Sequence, residues 1–392
     1  MPATGTRDTS NLTARKYDVS GIISLLNVNE YPLMAILTNA GKDIVTNKGK
    51  AMKKVATTDP EFKWYEDAFG TRTGAFAASQ TGKSNASAMS IVVATGTGVN
   101  FSKGDVIYIP SLKYSYVLTA EPSTDTLTLS AELGGDTTGS LDLSSLVIWI
   151  TGNANEEGAG LRAIKGTTPT EKVGYTQIFR TPFGVTRTSK NTTTLIKEND
   201  LDYQRRKKGI EHATDIERAF LFGKLKKDVT GSKPKRFTQG IINAISTHTT
   251  ANVDTEAEFD SFLEGAFTDG NTEKYALCSA AFMSQVDQWA KNKLTLMQSP
   301  TTYGVRIVQY TSTHGTINFI KHKMLSGVPF GNYCIVLDME ELEYRYLQDS
   351  DTKLLTNRQN NGDDEIVEEY LSEVGLKIGH ETKHAIASKG AL

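Results

Sequence analysis

Apolar positions along the chain follow different periods in different stretches. From Ser90 to Ile150 they come in short β-type runs: Ser90-Ile-Val-Val-Ala94, Val106-Ile-Tyr-Ile109, Tyr116-Val-Leu-Thr119, Thr126-Leu-Thr-Leu129 and Leu146-Val-Ile-Trp-Ile150. Gly, Asp, Pro and Ser separate them at about ten-residue intervals, which predicts a small all-β barrel or sandwich over 85–154. From Glu198 to Lys224 the period is helical, with Ile210, Ala213, Ile216 and Phe220 on one stripe. Acidic residues crowd the start of that segment and lysines its end, as the helix dipole prefers. At 1.5 Å per residue the rod is about 40 Å long. After Gly240 helices and strands alternate. Thr255 and Glu258 form a capping box ahead of Phe259, Phe262 and Leu263. Tyr275–Cys278 and Tyr333–Leu337 read as buried strands. Val305–Tyr310 and Ile317–Ile320 flank a turn at His314-Gly315, and Leu371–Ile386 reads as a last strand or strand pair.

Two stretches have no period. Residues 1–18 are polar and Thr-rich, an arm that needs something to hold it. An apolar segment, Val19–Val28, and a helix opened at Pro32 follow it. Residues 42–84 are extended and rich in Lys, Thr and Gly, too long for a simple loop in a compact domain, so a two-stranded excursion is expected. Residues 154–190 return to the same character.

A length of 392 residues implies about two or three domains. The net charge of −2 argues against a free-standing nucleic-acid binder. The charge is sorted along the chain, however. Residues 201–240 hold eleven Lys and Arg against five Asp and Glu, whereas 338–373 hold three against twelve. Such runs are either solvated faces or unlike patches that meet between identical copies, head to tail. Two cysteines exclude a disulfide scaffold and read as buried thiols in a reducing compartment. No apolar run reaches the ~20 residues of a bilayer span, and the N-terminus lacks a signal-peptide pattern.

Candidate chemistry is sparse. His380-Glu381-Thr382-Lys383-His384 matches the H-E-x-x-H zinc signature, but that chemistry needs a helix. Here apolar and polar positions alternate as in a strand, which sets positions i and i+4 about 13 Å apart, too far to share a zinc ion. Neither a phosphate-binding loop nor a nucleophile elbow is present. No enzyme activity, metal or cofactor is expected. Arg205, Arg206, Lys207 and Lys208 on the long helix are candidates for a basic face toward DNA phosphates or a second subunit. Asp363, Asp364, Glu365, Glu368 and Glu369 are candidates for an acidic intersubunit surface.

The order of these features resembles the major capsid proteins of tailed bacteriophages with the Hong Kong 97 fold, in the family carrying a β insertion in the extended loop. The resemblance rests on Asn29-Glu30-Tyr31-Pro32 and its helix, Lys63-Trp64-Tyr65-Glu66-Asp67, Gly152-Asn153-Ala154-Asn155-Glu156-Glu157-Gly158 and Tyr175-Thr176-Gln177-Ile178-Phe179-Arg180. It continues through Glu211-His212, Asp215-Ile216-Glu217, Phe222-Gly223, Asn361-Gly362-Asp363-Asp364 and Gly375-Leu376. It implies an α+β fold with an N-terminal arm (1–30) and a peripheral domain (31–49 and 189–235) on a spine helix 198–224. It further implies an extended loop (50–84 and 155–188) tipped by the inserted β domain 85–154, an axial domain (236–332) and return strands (333–392). Extended-loop contacts would come from Trp64, Tyr65, Glu66, Asp67, Glu156, Glu157 and Arg180. The implied function is a coat protein forming pentamers and hexamers around phage double-stranded DNA, assembled in the bacterial cytoplasm and residing in the virion. The implied partners are further copies of itself, a separate scaffolding protein, a portal protein, a decoration protein as a further candidate, and packaged DNA without sequence specificity. No membrane partner and no covalent cross-linking are expected. A tail or decoration protein, or a secreted hydrolase with a carbohydrate-binding insert, are the competing classes.

Overall fold

The computed structural model describes residue 33 and residues 52–192, 200–290, 297–298 and 307–390. The arm 1–18, the segment 19–28 and most of the helix expected after Pro32 lie outside the described residues. The chain divides into two compact units, one of Tyr65–Glu171 and one of the remaining sequence. It passes between them along two strands that pair with each other, Glu61–Glu66 and Thr170–Tyr175.

The larger unit is built on two sheets. In chain order its main elements are strand β1 (Gln177–Thr186), helix α1 (Asp200–Phe222), strands β2 (Lys226–Asp228) and β3 (Lys235–Phe237), helices α2 (Glu256–Ala266) and α3 (Ala280–Ala290), and strands β4 (Lys353–Leu355) and β5 (Glu365–Ile378). The first sheet runs, in space, Lys53–Thr57, Leu342–Leu347, β5, β1, with β4 also paired to β5. β1 and β5 are antiparallel over ten positions, from Gln177 opposite Val374 to Thr186 opposite Glu365. Helix α1 lies on this sheet. A Cβ at Gly209 would stand 3.3 Å from the Tyr370 hydroxyl, so the glycine lets helix and strand approach closely.

The second sheet has seven strands, with Tyr333–Leu337 and Glu273–Cys278 at its centre. All five residues of Tyr333–Leu337 are buried, because both faces of the sheet are covered. Leu277, Ile335 and Leu337 point into a core shared with Ile216, Phe220, Leu342 and Leu376. Ala276, Cys278, Cys334 and Val336 point into a second core with Phe259, Phe262 and Phe282 from α2 and α3. The hairpin expected around His314-Gly315 forms between Ile307–Thr311 and Thr316–Lys321.

The capping box forms as expected: Thr255 Oγ1 accepts from the Glu258 amide at 3.3 Å, and the Glu258 carboxylate accepts from the Thr255 amide at 2.8 Å. Thr255→Ala is expected to cost about 1 kcal/mol, read as a lowered denaturant midpoint at unchanged slope.

The smaller unit is all β. Thr73–Ala75, Val147–Asn153, Asp105–Ile109 and Tyr114–Val117 make one sheet, and Met89–Val92 pairs with Thr126–Leu129. Their alternating inward residues close a core that includes Phe76, Ile91, Phe101, Ile107, Tyr116, Leu127 and Ile148. The unit extends well beyond 85–154 on both sides. Thr73–Ala75 joins its sheet and Phe76 its core, while Arg162 forms an ion pair with Asp105 and Lys165 Nζ donates to the Val99 carbonyl at 2.9 Å. Short strands and returning polar contacts of this kind leave no periodic trace in sequence.

Candidate functional site

The basic run on α1 does not present a single face. Arg205 is clamped from the sheet side, its Nε and Nη2 donating to the two Glu368 carboxylate oxygens at 2.6 Å each, and Nη1 to Asp202 at 2.9 Å. These charge-assisted bonds push the guanidinium above its ordinary value. Arg206 lies 5.9 Å over the Tyr203 ring, and Lys208 Nζ donates to Glu211 at 2.5 Å. Lys207 is half-buried.

The acidic candidates separate into two groups. The Glu368 and Glu369 side chains are only 3% and 4% exposed. Glu368 faces α1. Glu369, on the opposite face of β5, receives a forked hydrogen bond from Arg180, with Nη2 to Oε2 at 2.8 Å, and has Arg358 at 3.7 Å. Arg180 stands opposite Leu371, so it meets Glu369 diagonally on one face of the ladder. The Arg180 hydrogen bond holds the Glu369 carboxyl below the usual range. In this chain both glutamates are internal ion-pair partners, which corrects the expectation of an acidic surface at those two positions. Asp363, Asp364 and Glu365 are exposed in the β4–β5 connection, where Asp364 meets Arg187 at 2.7 Å.

Of the excursion residues, Trp64 stacks on Phe62 at 6.0 Å with Lys377 Nζ 5.9 Å from its ring. Within the smaller unit, the exposed Tyr65 hydroxyl donates to Glu171 at 3.1 Å, and Asp67 accepts from Thr167 at 3.2 Å. Glu66 is half-buried; Glu156 and Glu157 are exposed. Sequence reasoning missed the apolar side chains beside them. Phe69, Leu161 and Ile164 are 103%, 101% and 96% exposed, and Phe69 and Ile164 flank an open groove also lined by Arg72, Val99 and Ile150. Single apolar residues in polar sequence give no periodic signal, so only their uncovered state marks them.

A basic hairpin was missed as well. β2 and β3 pair through Lys226–Phe237, Lys227–Arg236 and Asp228–Lys235. Lys224, Lys226, Lys233 and Lys235 are exposed, and within the hairpin the charges of Lys226 and Lys235 act on the Asp228 carboxylate.

The H-E-x-x-H segment is neither helix nor strand. β5 ends at Ile378, His380 takes φ +40°, Glu381–Lys383 make one 3₁₀ turn, and a strand resumes at Ala385. His384 Nδ1 accepts from the Asp338 amide at 3.2 Å, so Nε2 carries the proton and donates to the Gly379 carbonyl at 3.3 Å. Burial pushes this imidazole down to about 4. Glu381 gathers the amides and hydroxyls of Ser246 and Thr247 at 2.6–2.8 Å, and those bonds hold it at about 2 against the opposing effect of burial. Among the described residues no three His, Cys, Asp or Glu side chains gather as metal ligands, and no helix is long and apolar enough to cross a membrane.

The arrangement is an α+β fold whose buried polar groups tie strands and helices together. The model of the SU10 major capsid protein family matches residues 3–390, and the chain belongs to that family. This is the phage major capsid class that the order of sequence features implied. A curated major capsid protein of Pseudomonas phage PaMx41 is 22% identical over 230 residues, 55% of each chain, so the match spans about half of that relative's length. Among solved structures, the capsid of a native GTA particle aligns at TM-score 0.49 and 8% identity, covering 98% of both chains. Mycobacterium phage Bobi aligns at 0.48 and 9% identity, covering 97% of this chain and 98% of the other.

Proposed function

We propose that this chain is the coat subunit of a phage shell, assembling as pentamers and hexamers into an icosahedral or prolate container for double-stranded DNA. Family membership sets the class, and one observation supports repeated copies in particular. The smaller unit already has a closed core of its own, yet Phe69, Leu161 and Ile164 stand in water. At roughly 25 cal/mol per Å², side chains of this size each gain about 1.5–3 kcal/mol when covered, and a neighbouring subunit is the natural cover.

On this reading, 50–84 and 155–188 form the extended loop carrying the β unit, and α1 is the spine of the peripheral region. Residues 236–332 make most of the axial region, and 333–392 return from it. Residues 1–30 are an arm laid on a neighbour. Assembly takes place in the bacterial cytoplasm with a separate scaffolding protein and a portal, and the product is the virion capsid. A decoration protein is a further partner of the finished shell, and DNA is contacted without sequence preference.

Light scattering of the purified chain, with negative-stain images of the same fraction, tests this. Megadalton shells or five- and six-membered rings are expected, either alone or with the scaffolding protein. A concentration-independent monomer under both conditions overturns the reading. Replacing Phe69, Leu161 and Ile164 together by serine is expected to leave the melting transition of the subunit in place while abolishing the large species. Unchanged shells from that variant would show that these side chains are not covered on assembly.

A further inference from the structure

The two charged hairpins of the larger unit leave opposite ends of one strand pair. At the Gln177 end of the β1–β5 ladder, the Thr238 amide donates to the Gln177 side chain at 3.2 Å, and Thr238 Oγ1 accepts from the Leu376 amide at 2.9 Å. These bonds fix the base of the β2–β3 hairpin there. At the other end, where Thr186 faces Glu365, the β4–β5 connection turns through Asp363 and Asp364, and the Arg187 amide donates to the Asp364 carbonyl at 3.3 Å. Helix α1 runs between the same ends. Its first residue, Asp200, accepts from Ser189 at 3.0 Å beside the acidic turn, and its last, Phe222, leads into the basic hairpin.

The separation is set by strand geometry. Ten paired residues at ~3.3 Å each put the two ends about 30 Å apart. At physiological salt the screening length is about 8 Å, so the two patches do not neutralise each other within one chain. Residues 224–236 carry six Lys and Arg and one Asp. Residues 356–365 carry three acids, Asp363, Asp364 and Glu365, against Arg358 alone. The larger unit is therefore polar along its strands, with an exposed positive end and an exposed negative end at which Arg187 pairs with Asp364 while Asp363 and Glu365 stand free of ion pairs among the described residues.

We propose that the basic hairpin of one copy seats on the acidic β4–β5 turn of the next, a head-to-tail contact between identical chains. The proposal rests on the reading of the chain as a repeated subunit and names the charged contact that orders the copies. Opposite ends of one body are complementary to each other and neither is complementary to itself. Such a contact is heterologous and either closes into rings or propagates. Electrostatic pairing of this kind sets register and partner choice more than raw affinity.

Three full-length variants test it by sedimentation in 0.15 M salt, alongside the parental chain. The first carries Lys226→Glu, Lys233→Glu and Lys235→Glu. The second carries Asp363→Lys, Asp364→Lys and Glu365→Lys. The third carries all six. Each triple variant is expected to lower the assembled fraction by about tenfold or more, and the six-fold variant to recover it to within about twofold. Equal assembly of all four chains overturns the contact and leaves the shell reading standing. Failure of the six-fold variant to recover also overturns it, since the hairpin then answers to some other acidic partner such as nucleic acid.

A cross-link decides the contact even if the parental chain stays monomeric. Lys233→Cys mixed with Asp363→Cys under mild oxidation is expected to give a mixed disulfide dimer, because the native cysteines are buried. A yield no higher than that of Lys233→Cys mixed with Glu264→Cys, an exposed position on α2, overturns the proposal.

Discussion

Glu217→Ala is expected to destabilise the larger unit by about 2–5 kcal/mol, the cost of leaving two buried donors without an acceptor. Glu217 sits on α1 at zero exposure, and its Oε1 accepts from His322 Nε2 at 2.8 Å and from the Leu33 amide at 2.7 Å. The tautomer of His322 follows from its other nitrogen. The Met324 amide donates to Nδ1 at 3.2 Å, so Nε2 holds the proton that Glu217 accepts. One carboxylate thus ties the long helix to the Leu33 amide and to His322, just after Thr316–Lys321. Alanine would leave two buried donors without an acceptor. Glu217→Gln keeps the volume and one acceptor oxygen, and is expected to lose less than half as much. The measurement is the urea midpoint of each variant at unchanged slope. A loss below ~1 kcal/mol for alanine would mean that water reaches the site.

The same residue shows where the sequence was legible and where it was not. The α1 stripe of Ile216 and Phe220 follows from period alone, and so does the double burial of Tyr333–Leu337, an unbroken apolar run. Thr255 and Glu258 announce their cap because the two partners are three residues apart. Glu217 gives no such signal, since a glutamate in a charged helix reads as solvated until its partner, 105 residues away, is known. The same holds for Arg205 and Glu368, 163 residues apart. Each belongs to a run of like charge, and each run looked like a surface. Folding α1 across β5 paired Arg205 with Glu368, and pairing β1 with β5 set Arg180 on Glu369. The charge left uncovered lies elsewhere, on Lys226, Lys233 and Lys235, whose hairpin is too short for its period to register.

Two buried groups, His384 and Lys274, should each make stability rise with pH across its own window. His384 titrates at about 4 in the folded chain because burial disfavours its cation, against an ordinary value of 6.5. Lys274 has no exposed surface, and its ammonium donates to the carbonyls of Ala266, Asp269 and Lys383 at 2.7–2.8 Å. Burial outweighs the nearby Asp338 and lowers it from 10.5 to about 8. In both cases the unfolded chain binds the proton first as pH falls. The unfolded state holds more protons between 4 and 6.5, and again between 8 and 10.5, so stability rises with pH through each window. Each group accounts for about 3 kcal/mol across its own window. The stability linked to His384 is whole above pH 6.5 and lost on the way down to 4. That linked to Lys274 is whole only above 10.5 and already lost at 8. Above pH 10 the buried phenols oppose the lysine. Tyr275, raised to about 12, keeps its proton in the folded chain after the unfolded chain has released it. Burial also pushes the Cys278 thiol well above its ordinary 9, which opposes the lysine from about pH 8 upward, so the lysine effect is read as the difference between the parent and Lys274→Met. Denaturation series at half-unit steps check this. His384→Gln is expected to flatten the slope between pH 4 and 6.5, and Lys274→Met to turn the slope between 8 and 10 downward by removing the effect that offsets Cys278, each leaving the other window as it was. Parallel profiles for parent and variant in the matching window would remove that group as the cause, whatever the absolute stability of the variant.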